Sequence, residues 1–271
     1  GKQGMVVELP DGVDSQEKPV HTKATSMLKS LGVPLFFSGA WNKSIPRERG
    51  ERALACAEKV QRCPPPIANR VYLFGSAGMP AMTYGAEMES PPGETRDKVR
   101  QATLTAFLGP DRRNRAPQII FTTIYPGHRL DAEQAPEYVA WTTAFRIMRA
   151  RPDLRTRFAE VFYERYNDLR VGIRGPVGRL FESAIRCGFD WFAPGGLSMP
   201  GCPDVDLYYS SWNWCKHQFR QGLRHCQVST LLKDGQAKRK DMAGLTAEVD
   251  HVASRDQLDL KSTDPNKLDA Y

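Results

Sequence analysis

"APEYVAWTTAFRIMRARP", residues 135–152, sets Tyr138, Trp141, Phe145 and Met148 three or four positions apart. That spacing lines four large apolar side chains along one face of an α-helix, so the stretch reads as a helix packed on a core. Pro152 stops it. The neighbouring segments read the same way. "DLRTRFAEVFYERYNDLR" (153–170) and "GPVGRLFESAIRCGF" (175–189) follow as helices, and "SWNWCKHQFRQGLRHCQVSTLLK" (211–233) is helical despite Gly222. Upstream, "RERGERALACAEKVQRC" carries Ala53, Leu54, Ala57 and Val60 at helical spacing until "PPP" (64–66) ends it. Ser44 is its candidate N-cap and Pro46 an early helix position. "IANRVYLFGSAG" (67–78) puts Ile67, Val71 and Phe74 on one face, and "TRDKVRQATLTAFLG" (95–109) is a helix closed by Gly109.

The remaining segments are of other kinds. "MVVEL" (5–9) and "SLGVPLFF" (30–37) read as strands. "APQIIFTTIYPGHRLD" (116–131) is apolar and ends in a Pro-Gly turn. Residues 190–210 are rich in Gly and Pro and read as an irregular linker, and the tail beyond the last helix is polar. The fold class expected is mainly α, with a short N-terminal β hairpin followed by a multi-helix bundle and further helices. The expected regions are 1–40, 41–115, 116–189, 190–210 and 211–271.

Composition narrows the function. In 271 residues, 41% hydrophobic, there is enough apolar material for a core and one or two domains. The opening "GKQGMVVELPDG" lacks a charged-then-apolar leader, and no run approaches the roughly 18 apolar residues of a membrane span. The six cysteines lack the dense spacing of a disulfide scaffold, so an intracellular protein with reduced thiols is expected. Net charge is +7, concentrated in two segments. Residues 146–179 hold nine Arg against four acids, and 216–240 hold seven basic residues against Asp234 alone. Arg-dominated segments suit phosphate, because the guanidinium fork can donate two hydrogen bonds to one phosphate. Solvated helix faces would look alike.

Local motifs for catalysis are weak. His128, Arg129 and Asp131 in "GHRLD" invite a kinase-loop reading, but the Gly-rich loop, strand lysine and DFG are absent. A turn explains them better, and an enzyme using His128 and Asp131 is the minor alternative. Cys202, Cys215, His217, His225 and Cys226 form awkward "CKH" and "HC" doublets that point in different directions on a helix, so no metal ligands are assigned. The "DVD" of 204–206 reads as loop carboxylates rather than a two-metal site. The aromatics of "YYSSWNWCKHQF" could stack nucleobases, although Trp212, Cys215 and Phe219 are also spaced for a buried face.

One ordered set of segments resembles a known family. "KSLGVPL" (29–35), the Arg- and Ala-rich helix, "GMPAMTYGAEM" (78–88), "RDKVRQATLTAFLG" (96–109) and "RRNRAP" (112–117) occur in the order seen just after the catalytic palm of LINE-type (non-LTR) retrotransposon reverse transcriptases. "KRKDMAGL" (238–245) faintly resembles the region downstream. The resemblance implies a primer-grip-like hairpin at Leu31, Gly32 and Val33. It also implies a helical thumb with Pro80, Tyr84 and Gly85 as a structural P-x-x-x-Y-G-x-E element, Tyr84 lending its ring to the core and Gly85 admitting a neighbouring backbone.

Phosphate contacts are then expected from Lys98, Arg100, Arg112, Arg113 and Arg115. The partner implied is RNA or an RNA–DNA duplex, together with the palm and fingers of a parent polypeptide, in an intracellular setting that the resemblance extends to the nucleus. No membrane partner is expected. The family's catalytic aspartates lie upstream of "LGV", and the 28 residues before Lys29 hold no Y-x-D-D motif. The resemblance therefore implies a non-catalytic fragment with no cofactor of its own, Mg²⁺ belonging to the complete enzyme. A helical protein–protein interaction module with no nucleic-acid role is the alternative from another class.

Overall fold

The computed structural model describes residues 27–30, 33–36, 44–64, 66–110, 116–167 and 175–238. Two units are present, residues 1–45 and 46–271. Within the first, strands β1 (Met27–Ser30) and β2 (Val33–Phe36) pair antiparallel, Met27 opposite Phe36 and Ser30 opposite Val33.

The second unit is mainly helical. Helix α1 (Ser44–Gln61) has Pro46 in its first turn, where a missing N–H costs nothing. Helix α2 (Ile67–Leu73) runs through a wider π-helical turn, Phe74–Gly78, into α3 (Met79–Thr83). Helix α4 (Gly93–Leu108) follows. A short helix α5 (Pro117–Ile119) passes through a second π-helical turn, Ile120–Ile124, and then comes α6 (Gly127–Leu130). Beyond it lie α7 (Gln134–Ala150), α8 (Arg155–Asn167) and α9 (Gly175–Cys187).

The two π-helical turns share a cause. In each, the residue just before a proline donates its N–H five residues back, Met79 to Phe74 and Tyr125 to Ile120. Pro80 and Pro126 have no N–H to continue the α ladder, and the widened turn moves the chain off the carbonyl that a proline ring would strike. Pro80 thus continues a helical run rather than opening a separate one.

Residues 190–210, expected as an irregular linker, build a three-stranded antiparallel sheet. It comprises β3 (Asp190–Ala193), β4 (Gly196–Ser198) and β5 (Val205–Asp206), paired in that order. Trp191, Leu197, Met199, Val205 and Leu207 are buried on it. Gly and Pro here mark the tight turns of a small meander rather than an absence of structure. Helix α10 (Trp212–Lys238) closes the unit. Gly222 lies where α10 meets the sheet, since a Cβ there would sit 2.9 Å from Met199 Sδ.

Two apolar clusters form the interior. One joins Ala53, Ala57 and Val60 of α1 to Phe74, Val99, Leu104, Phe107 and Phe121. The other gathers Trp141, Phe145, Phe158, Phe162, Phe189, Trp191 and Phe219. Helix α7 serves both, giving Ala135 to the first and Ala140 onward to the second. The regions expected as 41–115, 116–189 and 211–271 therefore contribute to one unit. Among the described residues, no helix is long and apolar enough to cross a membrane.

Candidate nucleic-acid interface

The arginines divide between the interior and the surface. Arg100 is buried, a correction to its expected phosphate role. Its Nε lies 2.9 Å from Asp131 Oδ1 and its Nη2 2.9 Å from Asp131 Oδ2, while Nη2 also donates to Gln227 at 2.8 Å. Asp131 is fully buried just before α7 and accepts from the Glu133 N–H at 3.1 Å. Burial pushes its carboxyl up to about 6, with Arg100 pulling the other way.

Glu137, one turn into α7, meets three arginines. Arg179 Nη2 donates to Oε2 at 2.9 Å, Arg186 donates to Oε1, and Arg96 lies 3.6 Å from Oε1. Burial alone would raise this carboxyl, but Arg179, Arg186 and the Ser183 hydroxyl together hold it below the ordinary carboxylate range. The Trp141 indole donates to that same Ser183 at 2.9 Å. These charges are structural, since a buried guanidinium survives only with its carboxylate.

Lys98 is exposed and paired with Glu94 at 2.6 Å. Arg112, Arg113 and Arg115 lie outside the described residues, as do Leu31 and Gly32, while Val33 begins β2. Pro80 is exposed. Tyr84, expected to lend its ring to the core, is 49% exposed instead. Arg49 of α1 bonds its carbonyl and lies 5.0 Å over its ring, so Tyr84 is held at the surface by a cation rather than by burial. Gly85 is buried with φ of 73°, a left-handed turn where side chains are strained, so it ends α3 rather than serving only as a close-contact point.

A different surface brings together cations and rings. The Arg155 guanidinium lies 4.8 Å over Tyr208 and 5.5 Å over Tyr209, and Tyr209 is 77% exposed. Arg149 donates to the Ser210 carbonyl at 2.7 Å and lies over Phe145. Phe145 stacks on Trp212 at 5.3 Å and 16°, and Lys216 Nζ sits 4.9 Å over Trp212. Cations and rings thus lie along the turn after β5, the end of α7 and the first turns of α10, with Tyr209 exposed, Tyr208 and Trp212 partly exposed and Phe145 buried beneath them. Tyr163 and Tyr166 of α8 add exposed rings beside Phe162. Asp206 points its carboxylate at the Tyr208 and Tyr209 N–H groups, at 2.7 and 3.0 Å, so it shapes the turn that presents them.

The sequence held both halves of this row, the Arg-rich 146–179 and the aromatic 208–219. What joined them was tertiary: β5 sets residues 206–210 against the end of α7. The aromatic stretch itself divides, with Cys215 and Phe219 buried and Tyr209 outside.

The other candidates separate. His128 meets the Tyr138 ring at 4.9 Å, and burial, then Arg220, Arg224 and Arg129, depress it to about 4, while Asp131 faces Arg100 and Gln134. Cys202 bonds the Gln218 carbonyl, His217 faces Gln221, and Cys226 bonds the Arg186 carbonyl. Among the described residues, no three His, Cys, Asp or Glu side chains are grouped to hold a metal ion. Comparisons with protein-family models, curated proteins and solved structures gave no match.

Proposed function

We propose that this chain grips nucleic acid, RNA or an RNA–DNA duplex, as a non-catalytic thumb and downstream region of a LINE-like reverse transcriptase. The observation that carries the reading is the row of Arg155 and Lys216 set over Tyr208, Tyr209 and Trp212, with Arg149 between them above the buried Phe145. A guanidinium carries five donors, of which the Ser210 carbonyl takes one from Arg149 and the Met148 carbonyl one from Arg155, so the row can meet a phosphate backbone while the exposed Tyr209 ring accepts any base. Support for the family comes from the motif order over 25–120 alone. Contacts of this type are insensitive to sequence and weaken steeply with salt.

Binding of a labelled RNA–DNA primer–template with an unpaired template end, read by anisotropy at low and moderate salt, tests the reading. Wild type is expected to bind in a salt-dependent way. Tyr209→Ala is expected to weaken binding by about 1–3 kcal/mol, the range for one lost base stack. Arg149→Ala/Arg155→Ala is expected to flatten the salt slope. Arg112→Ala/Arg113→Ala/Arg115→Ala, assayed beside it, reports the basic segment singled out by the resemblance. Absence of binding at low salt would overturn the proposal and favour the protein-interaction module, for which adjacent Tyr72 (74% exposed) and Leu73 on α2 offer an apolar contact.

A further inference from the structure

The end of α9 and the middle of α10 bring two thiols together. Cys187, the last residue of α9, is buried, whereas Cys226 on α10 is partly exposed. The Cys226 side chain reaches the end of α9, its Sγ lying 3.8 Å from the carbonyl of Arg186, the neighbour of Cys187. Both line a cavity of about 240 Å³ that also contains Arg100, Arg186 and Gln227.

We propose that Cys187 and Cys226 are a modification site, a dithiol that a hydroperoxide converts reversibly into a disulfide joining α9 to α10. The two sulfurs have different parts to play. Cys226 is the reachable one, and the Cys187 thiol beside it holds its thiol below the ordinary range while that of Cys187 is raised. The Cys226 thiolate attacks one oxygen of hydrogen peroxide, the O–O bond breaks, and the departing hydroxide takes a proton to become water. Cys226 is then a sulfenic acid. The Cys187 sulfur attacks the Cys226 sulfur, the S–S bond forms, and the second oxygen leaves as water with the Cys187 proton. Two thiols are oxidised and one peroxide is reduced to two waters. A thiol reductant reverses the bond by exchange.

The loop so closed contains the whole β3–β5 sheet and the first turns of α10, where Trp212 and Lys216 sit. Cross-linking restricts the unfolded chain, so the oxidised form is expected to melt at a higher temperature than the reduced form. The site does not depend on the nucleic-acid reading.

The test uses the full reduced chain treated with hydrogen peroxide, then blocked with an alkylating agent and digested without reductant. Cleavage at arginine and at Asp190 separates Cys187 from Cys202 and Cys215, so mass spectrometry identifies the partner of Cys226 unambiguously. The expected result is one linked pair, 187 with 226, lighter by two hydrogens and released by dithiothreitol. Cys226→Ser is expected to lose the link and the rise in melting temperature. Cys187→Ser is expected to leave a sulfenic acid at Cys226 that a dimedone-type reagent traps. Oxidation that stops at Cys226 in the wild-type chain, or links Cys226 to another cysteine in preference to Cys187, would overturn the proposal. So would alkylation of both thiols after peroxide treatment.

Discussion

Between α1 and α4 the interior is filled by Ala53, Ala57, Ala106, Val60 and Val99, with Phe74, Phe107 and Phe121 set among them. Around the sheet and α10 it is filled by Trp141, Trp191, Phe145, Phe158, Phe162, Phe189 and Phe219, whose rings meet edge-on or stacked. Small side chains on α1 let helices approach closely, whereas large rings bridge elements of different kind across wider gaps. The two clusters meet on α7, and the charges lie at that junction: Asp131 just before the helix, then Glu137 between Ala135 and Ala140. Glu137 holds Arg96 of α4 with Arg179 and Arg186 of α9, so one carboxylate ties the helices of both regions together.

The strongest way to break this arrangement is Glu137→Ala. It leaves Arg179 buried without its carboxylate and is expected to cost about 3–5 kcal/mol. Urea unfolding followed by both fluorescence and circular dichroism should still show one transition; two would mean the clusters fold independently. Trp141→Ala removes the ring at the centre of the aromatic cluster and the donor to Ser183, for an expected loss of about 3–5 kcal/mol by the same measurement. The alanine-lined cluster should respond to the opposite change. Ala57→Leu forces extra volume between close helices and is expected to cost about 1–3 kcal/mol, and an equal tolerance in both clusters would mean that the two are packed alike.

The charges that border α7 should be visible in the pH dependence of stability. His128, depressed from 6.5 to about 4, is neutral in the fold where the unfolded chain would protonate. Its contribution is full above pH 6.5 and is lost as the pH falls toward 4. Asp131, raised from 3.8 to about 6, acts with the opposite sign, contributing stability that is lost as the pH rises through 6. Melting curves from pH 7 to pH 4.5 should therefore show a smaller acid loss for His128→Gln than for wild type. The smallest effect is expected from Lys98→Ala, because its pair with Glu94 lies in water and is screened. An unchanged urea midpoint would place Lys98 outside the structural charges.

Helices α1, α4, α7, α9 and α10 were legible because apolar residues recur every three or four positions, and that period follows from the geometry of the chain itself. Two of the proline breaks were legible as interruptions but not as π-helical turns, since whether a helix stops or widens depends on what lies against it. The sheet at 190–210 was hidden because its strands are two to four residues long, too short for a period to register against Gly and Pro. Arg100 and Arg155 looked alike in the sequence, each an arginine with one apolar residue before it and one polar residue after it. Only the fold set one against Asp131 in the interior and the other over two tyrosines at the surface. Periodicity is a local property and determined where the helices run. The partner that a charge finds is settled by contacts between distant segments, so tertiary structure alone decided which arginines pair with carboxylates in the interior and which lie against rings nearer the surface.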